Sequence, residues 1–170
     1  MKKNIIFFFV IILCGCTKTY DDGILCKYLY FPTSTNKNCF WVEVKEDRTL
    51  KEIFGEMSWD CHDSISSGKF PKDGISWEKI HDEDSIIIDA TAFRQLEELV
   101  SEVRKRKSVN YFIQSISHDG MGNVLFIKDR AYYFEIGIYD DKPTMDFIDK
   151  LKETSPIPIR SSWGSVLQKY

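Results

Sequence analysis

The chain has 170 residues, of which 43% are hydrophobic, 29% charged and 14% aromatic, and its formal net charge is −3. This length supports one domain with a real hydrophobic core and leaves little room for a second. Nucleic-acid binding relies on a strongly basic face, so the mildly acidic composition excludes nucleic acid as an expected partner.

The first sixteen residues have the layout of an export signal. The basic pair Lys2-Lys3 precedes an unbroken apolar run, Ile5–Leu13, which is followed by Gly15 and Cys16. A basic start, a short apolar segment and a small residue at the cleavage point are typical of a secretory signal peptide. The apolar run is far shorter than the roughly 20 residues that a membrane-spanning helix needs.

Leu13, Gly15 and Cys16 resemble the lipobox of bacterial lipoproteins, in which a leucine stands three positions before the lipidated cysteine and a small residue directly before it. The resemblance implies that residues 1–15 are removed and that Cys16 carries the acyl chains, two or more of which anchor a protein stably. The protein would then be a membrane-anchored lipoprotein of the bacterial cell envelope. Thr17 stands where enterobacterial lipoproteins retained at the inner membrane have Asp, so the implied destination is the outer membrane. An ordinary cleaved signal and an uncleaved anchor are the alternatives.

After the lipobox, the polar segment 16–24 is predicted to be a short tether and residues 25–170 a single domain. The domain opens with two predicted strands, Lys27–Phe31 and Cys39–Lys45, and turn-forming residues lie between them. We expect these strands to form a hairpin with Phe31 opposite Phe40.

Three cysteines follow the lipidation site: Cys26, Cys39 and Cys61. An exported protein meets oxidising conditions, in which one disulfide and one spare thiol are plausible. In the predicted hairpin Cys26 is opposite Lys45, several residues from Cys39, and a bridge needs Cα atoms within about 7 Å. We therefore expect a disulfide between Cys61 and either Cys26 or Cys39. Three reduced, partly buried thiols are the alternative.

The middle of the chain combines a helical signal with an irregular stretch. Thr49 and Glu52 have the spacing of a capping box, and apolar residues recur at helical intervals behind them, which predicts a short helix over residues 50–57. Residues 58–84 show no clear periodicity, and we expect a long loop there.

The second half of the chain alternates strand and helix signals. Its predicted elements are a short strand Ser85–Ile88, a helix capped by Asp89 or Thr91 and ending near Lys107, a three-stranded meander (Val109–Ser117, Val124–Lys128, Ala131–Tyr139), a helix Thr144–Glu153 and an amphipathic tail that contains Trp163. The predicted fold is α+β: an antiparallel sheet of about five or six strands with two or three helices mainly on one face.

The densest group of reactive side chains contains Cys61 and His62. A thiolate with a histidine base, here His81 or His118, can act as a nucleophile. The acidic run His81–Asp84 offers ligand types for a cation, but neither a known metal-site spacing nor a signature of a cysteine enzyme occurs. We expect no catalytic residue, metal or cofactor. An envelope enzyme using Cys61, or a metal site near His62 and His81, is the alternative.

The aromatic residues of the predicted meander suggest a binding role instead. Tyrosine is enriched at interfaces, and Tyr111, Tyr133 and Tyr139 mark a candidate binding surface if they lie on the uncovered face of the sheet. The expected function is a lipid-anchored, non-enzymatic envelope protein that binds a protein partner. One concrete version is an immunity protein against a periplasmic toxin.

Overall fold

The computed structural model describes residues 23–71, 74–105, 120–128, 130–135 and 142–159. The elements in these ranges are β1 (Ile24–Pro32), β2 (Cys39–Lys45), β3 (Thr49–Met57), α1 (Trp59–Ser66), β4 (Trp77–Ile87), α2 (Ala90–Lys105), β5 (Met121–Ile127), β6 (Arg130–Glu135) and α3 (Lys142–Thr154). The strands form one antiparallel sheet in the order β4-β3-β2-β1-β5-β6. The predicted α+β class, with an antiparallel sheet of about this size, is confirmed.

The central strand β1 is buried on both faces of the sheet. Tyr28 and Tyr30 contribute to one core, and Leu29 and Phe31 contribute to another. Successive side chains on a strand point to opposite faces, so a single strand builds two separate cores. The α2/α3 core lies on the face that those two helices cover, and the α1 core lies on the opposite face.

The β1–β2 hairpin forms, but its register differs by one residue from the prediction. Tyr30 is opposite Phe40, and their ring centroids are 6.2 Å apart, whereas Phe31 was expected there. A slip of one residue exchanges the two faces of a strand. The observed register places the Phe40 ring with Tyr30 in the α2/α3 core and leaves Phe31 in the α1 core.

The helix predicted over residues 50–57 is wrong, because this segment is strand β3. Leu50, Glu52 and Phe54 are buried on the face of the α2/α3 core, whereas Ile53 and Met57 pack in the α1 core. Both faces of β3 are therefore covered. The pairing of β3 with β4 shifts register between Phe54 and Gly55 and again between Glu56 and Met57. Apolar residues on both sides of a strand happened to match the spacing of one helical face.

The long loop predicted over residues 58–84 is also wrong over most of its length. Helix α1 begins after Ser58, whose side-chain oxygen accepts a hydrogen bond from Cys61 N, and strand β4 begins at Trp77. The predicted strand at Ser85–Ile88 is the end of β4, and its residues before Ile88 are not fully buried. Side chains along β4 are mostly exposed, so the hydrophobic alternation that would reveal a half-buried strand is missing.

The two long helices agree with the prediction. Helix α2 is capped by Asp89, whose Oδ1 accepts hydrogen bonds from Thr91 N (2.8 Å) and Ala92 N (3.1 Å). Its buried residues follow helical spacing, as do those of α3. Strand β5 pairs with β6 as expected and also with β1, a neighbour that the sequence did not indicate. The predicted strand Val109–Ser117 and the tail with Trp163 lie outside the described residues.

Candidate functional site

A groove of about 680 Å³ lies between α2 and α3. Both helices are amphipathic, and their apolar stripes pack on the sheet. The polar faces that remain form the groove, so its chemistry follows from the residues that do not reach the core. Its lining consists of Gln95, Glu98, Leu99, Glu102, Asp146, Asp149, Lys150 and Glu153.

Five of these eight lining residues are acidic and one is basic. Three of the carboxylates have lysine partners on their own helix, in the pairs Glu102–Lys105, Asp146–Lys142 and Glu153–Lys150. Glu98 and Asp149 form no such ion pair with any described residue. Exposed ion pairs contribute little to stability and exchange partners readily, so the groove presents a net negative surface to an approaching molecule.

A second acidic surface lies on β4, which is an edge of the sheet within the described residues. Asp82 and Asp84 are exposed and lie on the α2/α3 face, directly across from Phe54 and Glu52 of β3. Glu83 points to the other face, where it forms an ion pair of 2.6 Å with Lys51. Charged residues at a sheet edge discourage pairing with another chain, which is a structural role for this strand.

Glu52 is the one fully buried acidic residue in the described ranges. Its Oε2 accepts a hydrogen bond from Ile157 N (3.0 Å), and the side chain of Ser155 lies beside the carboxyl. Burial raises the pKa of this carboxyl to about 8, and the nearby charges of Asp82 and Asp84 add to the effect. The arrangement fastens the segment after α3 to the sheet and holds the carboxyl in its neutral form at neutral pH.

Cys61 and His62 are placed in a packed core rather than in a cleft. Cys61 belongs to the α1 core, and burial raises the pKa of its thiol, which opposes formation of the reactive thiolate. The His62 ring packs edge-on against Phe31 and Trp59, and its Nε2 is 3.2 Å from Pro32 O. These contacts give His62 a role in fixing α1 on the sheet.

The acidic run around His81 does not converge on a cation site. His81 Nε2 is 3.1 Å from Glu56 Oε1, and its ring packs near Phe54. Consecutive residues on β4 point to opposite faces, so Asp82 and Glu83 cannot face the same ligand. No group of three His, Cys, Asp or Glu side chains able to hold a metal ion occurs in the described residues.

Several of the predicted site residues lie outside the described part of the chain. Cys16, Tyr111 and Tyr139 lie beyond the described residues, and for Tyr133 only the backbone position in β6, opposite Val124, is described. No described helix is long and apolar enough to cross a membrane. The predicted tyrosine surface stays a prediction.

The groove and the burial of Glu52 were not predicted from the sequence. A signal for the groove was present, because Glu98 and Glu102 are four residues apart on the polar face of the predicted helix. Glu98 and Glu102 line the same groove as Asp146 and Asp149 only because α2 packs against α3. Hydrophobic periodicity alone does not predict which helices pack together. No known protein family matches this chain, and no characterised protein shows significant sequence similarity to it.

Proposed function

We propose that this protein is a lipid-anchored envelope protein that binds a basic protein partner in the acidic groove between α2 and α3. The observation that carries the proposal is the excess of carboxylates along the groove, with Glu98 and Asp149 outside any ion pair with described residues. Complementary charge steers partners together and favours one orientation of binding. The acyl group on Cys16 would hold this surface close to a membrane.

The role we propose is non-enzymatic, and its concrete form is an immunity protein that binds a toxin entering the periplasm. Such a protein needs an exposed recognition surface and no reactive group. The enzyme alternative has less support, because the raised pKa of the buried Cys61 thiol disfavours a nucleophile and His62 is engaged in packing.

The groove can be tested by photocrosslinking in the envelope of the producing cell. A photoreactive amino acid at Gln95, which lines the groove, should give one predominant crosslinked protein with a basic surface. The double variant Glu98→Lys/Glu102→Lys should abolish this product and weaken binding of the purified partner at least tenfold. The reason is that both substitutions replace attraction by repulsion at the contact.

Glu97→Lys is the matched control, because Glu97 lies on the same helix, is exposed and does not line the groove. This variant should bind like the wild type. Equal crosslinking from positions 95 and 97, or full binding by the doubly reversed variant, would refute the assignment of the groove. Acylation of Cys16 is tested separately, by mass spectrometry of the mature N-terminus.

A further inference from the structure

Two cysteines that are distant in the sequence belong to the α1 core. Cys39 is the first residue of β2 and is fully buried, and Cys61 lies in the first turn of α1 with 9% of its surface exposed. Both belong to the same cluster of packed side chains. Cys26 is excluded from this cluster, because it lies in the α2/α3 core on the opposite face of the sheet.

Hydrogen bonds link the connection between β3 and α1 to the surroundings of both cysteines. Asn36 O accepts a hydrogen bond from Met57 N (2.8 Å) and lies 3.2 Å from Cys39 Sγ. Ser58, which follows Met57, caps α1, and its side-chain oxygen accepts a hydrogen bond from Cys61 N (3.3 Å). Met57 and Ser58, which are adjacent in the chain, thus connect the backbone beside Cys39 to the first turn of α1, where Cys61 lies.

The electrostatic coupling between the thiols agrees with this placement. The pKa of Cys39 is raised to about 12, mainly by burial, with smaller contributions from the charges of Cys61 and Glu56. Charges interact more strongly in a poorly hydrated environment such as the α1 core than in water.

We propose that Cys39 and Cys61 form the disulfide of this protein when it meets an oxidising compartment. All three described cysteines are thiols in the structure, and Cys39 and Cys61 are the two that share one face of the sheet. This proposal concerns the core beneath α1 and does not depend on the groove between α2 and α3.

The reaction requires an oxidant, and a low-molecular-weight disulfide such as oxidised glutathione supplies it. Cys61, the more exposed of the two thiols, must first lose its proton, a step that its raised pKa makes slow at neutral pH. The thiolate then attacks one sulfur of the oxidant, which forms a mixed disulfide and releases the first glutathione as a thiolate. Cys39 then attacks the Cys61 sulfur and releases the second glutathione thiol. Two protein thiols are oxidised and one glutathione disulfide is reduced, so atoms and electrons balance.

The bond would join the start of β2 to α1 and close the chain between residues 39 and 61. A disulfide restricts the unfolded chain, and it would also keep α1 on the sheet when the surrounding structure opens locally. The protected region is the α1 core, which contains Leu29, Phe31 and Trp41 of the two central strands.

Peptide mapping tests the connectivity directly. The full chain is extracted in detergent, incubated with oxidised glutathione, alkylated and digested with trypsin. Cleavage after lysine separates the cysteines, because Cys39 falls in peptide 38–45, Cys61 in peptide 52–69 and Cys26 in peptide 19–27. The expected product is peptide 38–45 linked to peptide 52–69, with Cys26 alkylated.

Serine variants supply the controls. Cys26→Ser should leave the linked product and the loss of thermal stability on reduction unchanged, whereas Cys39→Ser and Cys61→Ser should each abolish both. If a serine variant fails to fold, the mapping of the wild-type chain still decides the question. A linkage that includes peptide 19–27, or full alkylation of all three cysteines after oxidation, would overturn the proposal.

Discussion

Among the individual side chains, Glu52 has the most consequential environment. A carboxyl buried without a cationic partner is stable only when it keeps its proton, because an uncompensated charge in the core costs several kcal/mol. The backbone N–H of Ile157 and the neutral state together make the position tolerable. The unfolded chain has no such constraint, and there the carboxyl titrates near 4.5, its ordinary value.

Glu52 should make the protein less stable as the pH rises. Between about pH 4.5 and pH 8 the folded state retains a proton that the unfolded state has lost, so the free energy of unfolding falls with increasing pH. Each pKa unit corresponds to roughly 1.4 kcal/mol, which makes the total a few kcal/mol. Glu52→Gln, which keeps an acceptor for Ile157 N, should remove most of this slope. Urea unfolding at pH 5, 7 and 9 measures it.

Asp84→Asn is the complementary variant, since the charge of Asp84 contributes to the raised pKa of Glu52. It should move the upper end of the pH-dependent range to a lower pH without removing the slope. Glu83→Gln, on the other face of β4, serves as the control and should leave the range unchanged. A wild-type protein whose stability does not change between pH 5 and 8 would contradict this account.

Position 55 requires glycine because the backbone of β4 passes close to it. A Cβ atom at this position would lie 2.3 Å from the backbone oxygen of Lys79, at the bulge between β3 and β4. Because the obstacle is backbone rather than a movable side chain, Gly55→Ala should cost about 1 to 3 kcal/mol or more in thermal or urea unfolding. Ser85→Ala, on the same strand pair but exposed, should change the stability little.

Among the single elements, α1 is short but contributes to the core on one face of the sheet. This helix of eight residues buries Cys61, His62 and Ile65, and it lies over the face of the sheet opposite α2 and α3. Without α1, part of the sheet surface formed by Phe31 and Trp41 would be exposed to solvent. Short helices are marginal in isolation, so tertiary packing must stabilise α1.

Ile65→Ala tests the contribution of α1. Ile65 is fully buried, and truncating such a side chain typically costs about 2 to 5 kcal/mol because a cavity remains. The control is Asp63→Ala on the exposed side of the same helix, for which little change is expected. A loss below about 0.5 kcal/mol for Ile65→Ala, the range of ordinary surface changes, would show that α1 is only loosely attached.

The sequence predicted some elements well because their local signals agree with their surroundings. In α2, the cap Asp89 and the stripe that includes Phe93 and Leu96 both indicate a helix, and the structure confirms it. For β3 the local signal conflicts with the tertiary context. The Thr49–Glu52 spacing imitates a capping box, although Glu52 lies inside the core of a sheet.

The acidic groove was beyond sequence reasoning for a different reason. Each helix shows carboxylates on its polar face, which is ordinary for a solvated surface. Only the packing of α2 beside α3 brings Glu98 near Asp149 and turns two ordinary faces into one concave surface. The placement of Cys39 and Cys61 in one core could not be predicted for the same reason, because it depends on how β3 and α1 fold between them.

On the scale of the whole molecule, the last described residues, which follow α3, pack against the domain. Ile157 and Ile159 are buried in the α2/α3 core, and Ile157 N holds Glu52. Truncation after Thr154 should therefore destabilise the domain by roughly 3 to 6 kcal/mol, at 1.5 to 3 kcal/mol for each buried isoleucine. Differential scanning calorimetry would record a lower melting temperature.

Truncation after Arg160 is the informative comparison, because it keeps both isoleucines and removes the segment containing Trp163. An exposed apolar stripe on an amphipathic tail is an aggregation liability, so we expect this tail to dock on the domain. If it does, truncation after Arg160 should lower the melting temperature relative to the full chain. An unchanged melting temperature would instead identify the tail as a segment that does not contribute to the fold.

The position of β1 in the sheet determines how the chain can fold during synthesis. This strand pairs with β2, which follows it directly, and with β5, in a register that joins Lys27 to Phe126. A nascent chain emerges with its N-terminus first, so β1 remains without its second neighbour until residues near 127 have been made. Until then the backbone hydrogen-bonding groups along Tyr28–Phe31 form an open edge, which can pair with other chains. The topology therefore delays completion of the sheet until most of the domain has been synthesised.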